Sequence, residues 1–154
     1  MQSWTITTVR PGYRYIRCHI NWNSINNSNH FLELEAYYNG TNVALNKTVT
    51  IAVWSMYPSS PRQPVAFTDG DKNTNNYVDL LADTSIWGTL QVDLWQKYKI
   101  TRIKLRHYYG DSRYYKDNIV TVSGDWTNRT TLFNSNTQGT YYESSSWKTI
   151  NISR

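Results

Sequence analysis

The stretch that decides the fold is Phe31-Leu32-Glu33-Leu34-Glu35-Ala36-Tyr37, in which apolar and polar side chains alternate. Alternation with a period of two is typical of a strand with one buried face. Similar segments recur along the chain, separated by turn-forming pairs such as Asn39-Gly40 and Asp69-Gly70. The pattern predicts strands at 15–20, 31–37, 43–53, 90–94, 100–105, 119–122 and 147–152. The sequence therefore predicts an all-β protein, built as an antiparallel β-sandwich or barrel.

The composition favours a single domain over residues 1–154. Aromatic residues make up 15% of the chain and charged residues 18%, which excludes an aromatic-poor disordered chain. No apolar run approaches the roughly 18 residues that a membrane span needs. Cys18 is the only cysteine, which excludes an intramolecular disulfide and a zinc site built from several cysteines. The net charge is +5, but the basic residues are dispersed, so we expect no nucleic-acid partner.

The motifs of common enzymes do not occur in the sequence. The three histidines are His19, His30 and His107, and none belongs to a His-Glu-x-x-His motif. A Gly-x-Ser-x-Gly nucleophile elbow is also missing. Asp69 with Asp71 could supply two carboxylates, but a metal site explains that pair better. We therefore expect a non-catalytic protein.

Five motifs, read in order from Asn42, resemble those of the discoidin family, which includes coagulation-factor C-type domains, F-type lectins and related carbohydrate-binding modules. They are Asn42-Val43-Ala44-Leu45-Asn46-Lys47, Ala66-Phe67-Thr68-Asp69-Gly70-Asp71, Gln91-Val92-Asp93-Leu94, Tyr98-Lys99-Ile100 and Asn118-Ile119-Val120-Thr121-Val122-Ser123. The family's last element is similar to residues 15–17 and 32–37, which here come first. The resemblance therefore implies a circularly permuted, galactose-binding-like jelly roll, in which residues 1–40 supply the family's C-terminal strands and residues 41–154 the rest. An echo of residues 3–7 in residues 146–151 agrees with a permuted unit.

The resemblance also implies a structural Ca²⁺ ion in the loop that begins Asp69-Gly70-Asp71. Such an ion prefers six to eight oxygen ligands, several of them backbone carbonyls. The implied ligands are Glu33, the carbonyl of Ala66, Asp69, the carbonyl or side chain of Asp71, and Thr74. Glu33 is distant in sequence, so the ion would join its strand to this loop. The alternative is a capped β-turn without an ion, because Asp-Gly is a common turn pair.

In this family, the loops at one end of the sandwich bind the ligand. Sugars are held by a flat aromatic side chain and by polar groups that bond to hydroxyls. The polar candidates are His107, Asp111, Arg113, Asn118 and Arg62, and the aromatic candidates are Tyr57, Tyr109 and Trp87. The alternatives are a solvated hairpin for the loop and a core position for Trp87. Gly110-Asp111-x-Arg113 keeps only part of the F-type lectin signature, so fucose specificity does not carry over.

Together these features predict a carbohydrate-binding module whose partner is a glycan on a cell surface. We expect it to act in adhesion or receptor binding, outside the cell or on a virion surface such as that of a phage, without a recognisable signal peptide. Further partners that we consider are a virion and other copies of the chain. The alternative is a virion decoration or assembly protein that uses the jelly roll as a building block.

Overall fold

A computed structural model describes residues 11–26, 28–53, 60–80 and 88–152 of the 154-residue chain. Within these ranges the chain forms strands and two very short helices, and neither helix is long enough to cross a membrane. The helices are a 3₁₀ turn at Pro64–Thr68 and α1 at Ser135–Gln138. The strands are β1 (Tyr13–Ile20), β2 (Asn29–Tyr38), β3 (Thr41–Asn42), β4 (Thr48–Val53), β5 (Val78–Leu80), β6 (Gly88–Tyr98), β7 (Arg102–His107), β8 (Ile119–Ser123), β9 (Thr130–Asn134) and β10 (Lys148–Asn151).

The described strands form two sheets, and every pairing is antiparallel. The first sheet has the order β4-β6-β1-β8-β9, and the second has the order β10-β7-β2-β3, with β5 also paired to β2. Alternate residues of each sheet enter one shared core, which includes Ile16, Leu34, Val92 and Leu105. The predicted all-β sandwich is therefore confirmed.

The central strand β2 contains a bulge that changes which face its residues occupy. Phe31 pairs with His107 and Glu33 pairs with Arg106, so Leu32 is one extra residue on the β2 side. Phe31 and Leu34 both belong to the core although they are three positions apart, an odd spacing that would place them on opposite faces of a regular strand. Glu33 lies on the opposite face from Leu34. The bulge thus allows an aromatic core residue and an outward-facing acid to stand two positions apart.

Sequence patterns located most strands but missed three of them: β3, β5 and β9 were not predicted. Of the predicted strand over 43–53, residues 43–46 form a turn after the β2–β3 hairpin, and only Thr48–Val53 is a strand, β4. The hairpin turn is Asn39-Gly40, and both residues have positive φ, 48° and 76°, as a two-residue turn of this kind requires. Residues 3–7, which carry the echo, lie outside the described residues.

Candidate functional site

A cleft of about 200 Å³ lies at the end of the sandwich where β1 ends and β2 begins. We call it the Arg113 cleft, and its lining residues are Asn26, His30, Asn75, Tyr77, Tyr108 and Arg113. They come from three separate places in the chain: the β1–β2 loop with the start of β2, the loop before β5, and the loop after β7. The lining combines a cation, an imidazole, two amides and two phenols, which is a polar and directional set of groups.

Arg113 is the most firmly held residue of the cleft. Its Nε donates to Oδ1 of Asp111 at 2.8 Å, and its Nη2 donates to the other oxygen of the same carboxylate. Its Nη1 donates to Oδ1 of Asn26 at 3.3 Å, and the guanidinium lies 4.9 Å from the Tyr108 ring centroid. The hydrogen bonds to Asp111 raise the pKa of Arg113, while those from Arg113 lower the pKa of Asp111. Arg113 is only 6% exposed, so its charge is fixed in place.

The aromatic wall of the cleft is formed by His30, Tyr77 and Tyr108. The His30 ring packs edge-on against Tyr77 with centroids 4.4 Å apart, and Tyr77 packs against Tyr108 at 5.6 Å. Nδ1 of His30 lies 2.8 Å from the hydroxyl of Tyr115, which is buried behind the wall. Burial lowers the pKa of His30 to about 4, and the charge of Arg113 acts in the same direction. His30 is therefore neutral at pH 7.

The loop before the cleft folds so that its Asn26 amide faces Arg113. Oδ1 of Asn23 accepts from the backbone N–H groups of Ile25 and Asn26, both at 2.9 Å, which closes a tight turn. Nδ2 of Asn23 donates to Oδ1 of Asn26 at 2.8 Å and so orients that amide. Asn-rich sequence is therefore used here to position a side chain that lines the cleft.

The structure separates the predicted ligand residues into several groups. Arg113 lines the cleft, and Asp111 holds it from behind. His107 and Asn118 are buried, at 0% and 1% exposure, and do not line the cleft; Nδ1 of His107 contacts the carbonyl of His30 at 2.9 Å. Tyr109 lies against Arg106 and does not line the cleft. Tyr57 and Trp87 lie outside the described residues.

Arg62, the remaining polar candidate, belongs to a different feature. Its Nη2 lies 3.5 Å from Oδ2 of Asp71 in the loop that was expected to hold Ca²⁺. Sequence reasoning also missed Asn26, His30, Asn75, Tyr77 and Tyr108 as lining residues. The position of Asn75 and Tyr77 directly after the Asp69 loop was the one signal that could have indicated two of them.

Glu33 meets the Asp69-Gly70 turn in space, as expected. The backbone N–H of Gly70 donates to Oε1 of Glu33 at 3.0 Å. Glu33 is fully buried, and burial raises its pKa to about 9; the negative charge of Asp69 adds to the rise. A carboxyl group in this setting needs either a proton or a cation close to it.

The oxygen atoms around Glu33 fit a hard cation. Two of the implied ligands each carry a buried oxygen without a hydrogen-bond partner among the described residues: Oε2 of Glu33 and Oγ1 of Thr74. Asp71 fits less well through its carboxylate, because that group accepts from the N–H of Asn73 and the amide of Asn76 and pairs with Arg62. Its carbonyl is therefore the better ligand.

No cluster of three or more His, Cys, Asp or Glu side chains occurs among the described residues. A Ca²⁺ ion at this loop would thus depend on Glu33, Asp69, Thr74 and backbone carbonyls such as that of Ala66. The Ala66 carbonyl accepts only a long bond, 3.4 Å, from the N–H of Asp69. The residues present are compatible with the ion, which would hold the loop that carries Asn75 and Tyr77.

A larger cleft, of about 430 Å³, lies at the opposite end of the sandwich. Its lining residues are Pro11, Gly12, Tyr13, Lys97, Gly124, Asp125, Asn128 and Thr130, none of which was predicted as a site residue. The Asp125 carboxylate is used by its own loop, accepting from the N–H groups of Thr127 and Asn128. We therefore place the candidate site at the Arg113 cleft, where an anchored charge faces the opening.

Comparison of the chain with protein-family models, with curated proteins and with solved structures finds no match.

Proposed function

We propose that the chain is a non-catalytic glycan-binding module and that it binds a sugar residue in the Arg113 cleft. The observation that carries this proposal is the anchoring of Arg113 by Asp111, Asn26 and Tyr108. A guanidinium has more N–H donors than these bonds use, and the remaining donors suit sugar hydroxyls. Because the guanidinium is already fixed, binding costs little side-chain entropy.

The rest of the lining supports a sugar ligand. The Asn26 amide oxygen is already occupied, so Asn26 offers its NH₂ donors, while Asn75 offers an amide that both donates and accepts. Tyr77 and Tyr108 offer apolar ring surface beside a hydroxyl. The cleft, at about 200 Å³, is smaller than the roughly 300–1,000 Å³ of pockets for drug-sized ligands. A single sugar ring is a ligand of suitable size. Affinity per site should be weak, so multivalent display would be needed for firm adhesion.

We further propose that Ca²⁺ bound by Glu33, Asp69 and Thr74 supports this cleft. The ion would fix the loop that ends in Asn75 and Tyr77, two of the lining residues. Its role would be structural, and sugar binding would then depend on Ca²⁺ although the ion does not touch the sugar. An extracellular or virion-surface location is a prediction that accompanies this function.

A glycan array, read with Ca²⁺ and with a chelator, tests the proposed function. Any glycan bound on the array should then be titrated against wild type and against Arg113→Lys and Asn75→Ala, with Arg129→Lys as the matched control at the other end of the sandwich. We expect both cleft variants to lose at least about tenfold in affinity, or 1.4 kcal/mol, and the control to bind normally.

Two results would contradict the glycan proposal. One is an array that stays silent in both conditions, and the other is unchanged binding by both cleft variants. Silence together with tight binding to a capsid or tail protein would instead support the structural virion role.

A further inference from the structure

A group of cations gathers on the outer face of the second sheet, away from the Arg113 cleft. Three of them converge on one indole ring: the charged groups of Lys72, Lys104 and Arg106 lie 5.4, 5.1 and 4.2 Å from the ring centroid of Trp147. We call Lys72, Arg102, Lys104, Arg106 and Trp147 the cationic face. Three positive charges around one side chain repel one another, and such a cluster favours an anionic partner.

Strand β7 explains how the row of cations arises. Ile103 and Leu105 belong to the core, so Arg102, Lys104 and Arg106 project from the opposite face. Alternate residues of an extended strand are roughly 6.5–7 Å apart, which gives a regular row of positive charges. Lys72 adds a further cation to this row from the loop that packs outside β2.

Few carboxylates balance these charges. Among the described residues, the one ion pair that the cationic face forms is Lys72 with Glu35, at 3.1 Å. Glu35 also lies close enough to Lys104 for the lysine to lower its pKa. The other acids nearby are Asp69, beside Glu33, and the buried Glu33 and Glu143. The Glu33 carboxyl is engaged by Gly70, and the Glu143 carboxyl by the N–H of His107. Arg106 is buried, so the excess of positive charge toward solvent comes from Lys72, Arg102 and Lys104.

The aromatic rings on this face order the cations and are poorly placed to stack on a nucleobase. The guanidinium of Arg106 lies 5.0 Å from the Tyr109 ring centroid as well as near Trp147. The guanidinium of Arg102 lies 4.5 Å from the centroid of Tyr37. Proteins that bind single-stranded nucleic acid stack bases on open aromatic faces, whereas here cations occupy those positions. The arrangement therefore suits repeated anionic groups on a chain without aromatic bases.

We propose that the cationic face is a second binding surface, one that takes a sulfated polysaccharide lying across β7. Sulfate groups would pair with Arg102, Lys104 and Lys72, while Trp147 holds the cations in position. Charge complementarity with a chain of net charge +5 carries the proposal. It does not rest on the Arg113 cleft, because none of its residues lines that cleft.

The test measures binding of the full chain to dextran sulfate and to neutral dextran by calorimetry, over a range of salt concentrations. The variant is Arg102→Gln/Lys104→Gln, and the matched control is Lys97→Gln/Lys99→Gln, which removes the same charge from exposed positions elsewhere. We expect the chain to bind dextran sulfate and not neutral dextran. The first variant should bind dextran sulfate at least about tenfold more weakly. The slope of its log K against log salt concentration should correspond to about two fewer released counterions. The control should remain within about twofold of wild type.

Several outcomes would overturn the proposal. Equal weakening in both double variants would mean that net charge alone attracts the polyanion. Absence of binding to dextran sulfate would exclude the surface, and tighter binding of single-stranded DNA that depends on Arg102 and Lys104 would assign it to nucleic acid. Asn75→Ala, which changes the Arg113 cleft, should leave dextran sulfate binding unchanged and so separates this proposal from the sugar site.

Discussion

Glu33 and Glu143 are both buried carboxyl groups, yet their surroundings differ in a way that separates a cation site from an internal anchor. Each has one oxygen that accepts a backbone N–H, from Gly70 and from His107 respectively. Each also has one oxygen without a hydrogen-bond partner among the described residues. Burial alone therefore does not distinguish them.

The neighbouring charges make the distinction. Burial raises the pKa of Glu143 to about 8, while the cations Arg106 and Lys148 oppose the rise. Burial raises the pKa of Glu33 to about 9; there the negative charges of Asp69 and Glu35 add to the rise, and Lys72 opposes it more weakly. A buried acid among other acids is stabilised by an added cation, whereas one near fixed cations is already compensated. The comparison predicts that only Glu33 responds to Ca²⁺.

The largest expected effect is stabilisation by Ca²⁺. At about 100 times its Kd, a ligand that binds only the folded state adds about 2.7 kcal/mol to the free energy of unfolding. For a chain of this size, that corresponds to a rise in Tm of about 5–10 °C. Glu33→Gln should abolish the rise, and Glu143→Gln should retain it. Thermal melts with Ca²⁺ and with a chelator measure the change in Tm. An identical Tm of the wild-type chain in both conditions would show that the folded chain does not bind Ca²⁺.

A smaller effect concerns the pH dependence that Glu143 contributes. Its carboxyl loses its proton near pH 4.5 in the unfolded chain and near pH 8 in the folded one. The folded state therefore binds more protons between these values, and the Glu143 contribution to stability falls as the pH rises. Relative to Glu143→Gln, the parent should lose about 2 kcal/mol of unfolding free energy between pH 5 and pH 6.5.

Denaturant titrations in a Glu33→Gln background isolate the contribution of Glu143 to the pH dependence of the free energy of unfolding. The histidines oppose it, because burial lowers the pKa values of His19, His30 and His107 to about 4, so stability gains from them as the pH rises. The difference between parent and Glu143→Gln cancels that contribution. A difference that does not change with pH would show that Glu143 is solvated in the folded protein.

Asp69 and Asp71 sharpen the comparison further. The Asp71 carboxylate is occupied by Asn73, Asn76 and Arg62, whereas Asp69 accepts one N–H, from Asp71. We expect Asp69→Asn to weaken Ca²⁺ affinity by about tenfold, or 1.4 kcal/mol, and Asp71→Asn by no more than about threefold. Calorimetric titration measures both. A larger loss from Asp71→Asn would make its side chain the ligand.

The smallest effect should come from Lys72→Gln. Its ion pair with Glu35 is partly exposed on the lysine side, so the variant should change the free energy of unfolding by less than about 1 kcal/mol. Removing a cation near Glu33 should also strengthen Ca²⁺ binding slightly, by about twofold. Unfolding and calorimetry of this variant give both numbers. Weaker Ca²⁺ binding would mean that Lys72 helps to hold the loop.

Alternation predicted the sandwich because it follows directly from burial of one strand face. It could also have shown that His107 points inward, since His107 shares the parity of Ile103 and Leu105 in β7. The same reasoning identifies Arg102, Lys104 and Arg106 as a row, although Arg102 and Lys104 were interpreted only as dispersed charge. These residues were readable from local pattern alone.

The Arg113 cleft was much less predictable. Arg113 and Asp111 stand in one loop, but Asn26 and Asn75 reach them from loops whose paths depend on sheet order. β5 escaped prediction because only three residues pair with β2, and that pairing is what carries Tyr77 to His30. Tertiary pairing of short segments leaves no periodic signal in the sequence.

The bulge at Leu32 has a consequence for how this protein can change. It shifts the alternation of inward and outward side chains by one residue within a single strand. Phe31 and Glu33, two positions apart, can therefore lie on opposite faces of the sheet. With regular pairing and the same sequence, Phe31 and Glu33 would lie on one face, because two positions separate them. The extra residue therefore lets the strand bury Phe31 in the core and still direct Glu33 to the outer face, where the Asp69-Gly70 turn contacts it.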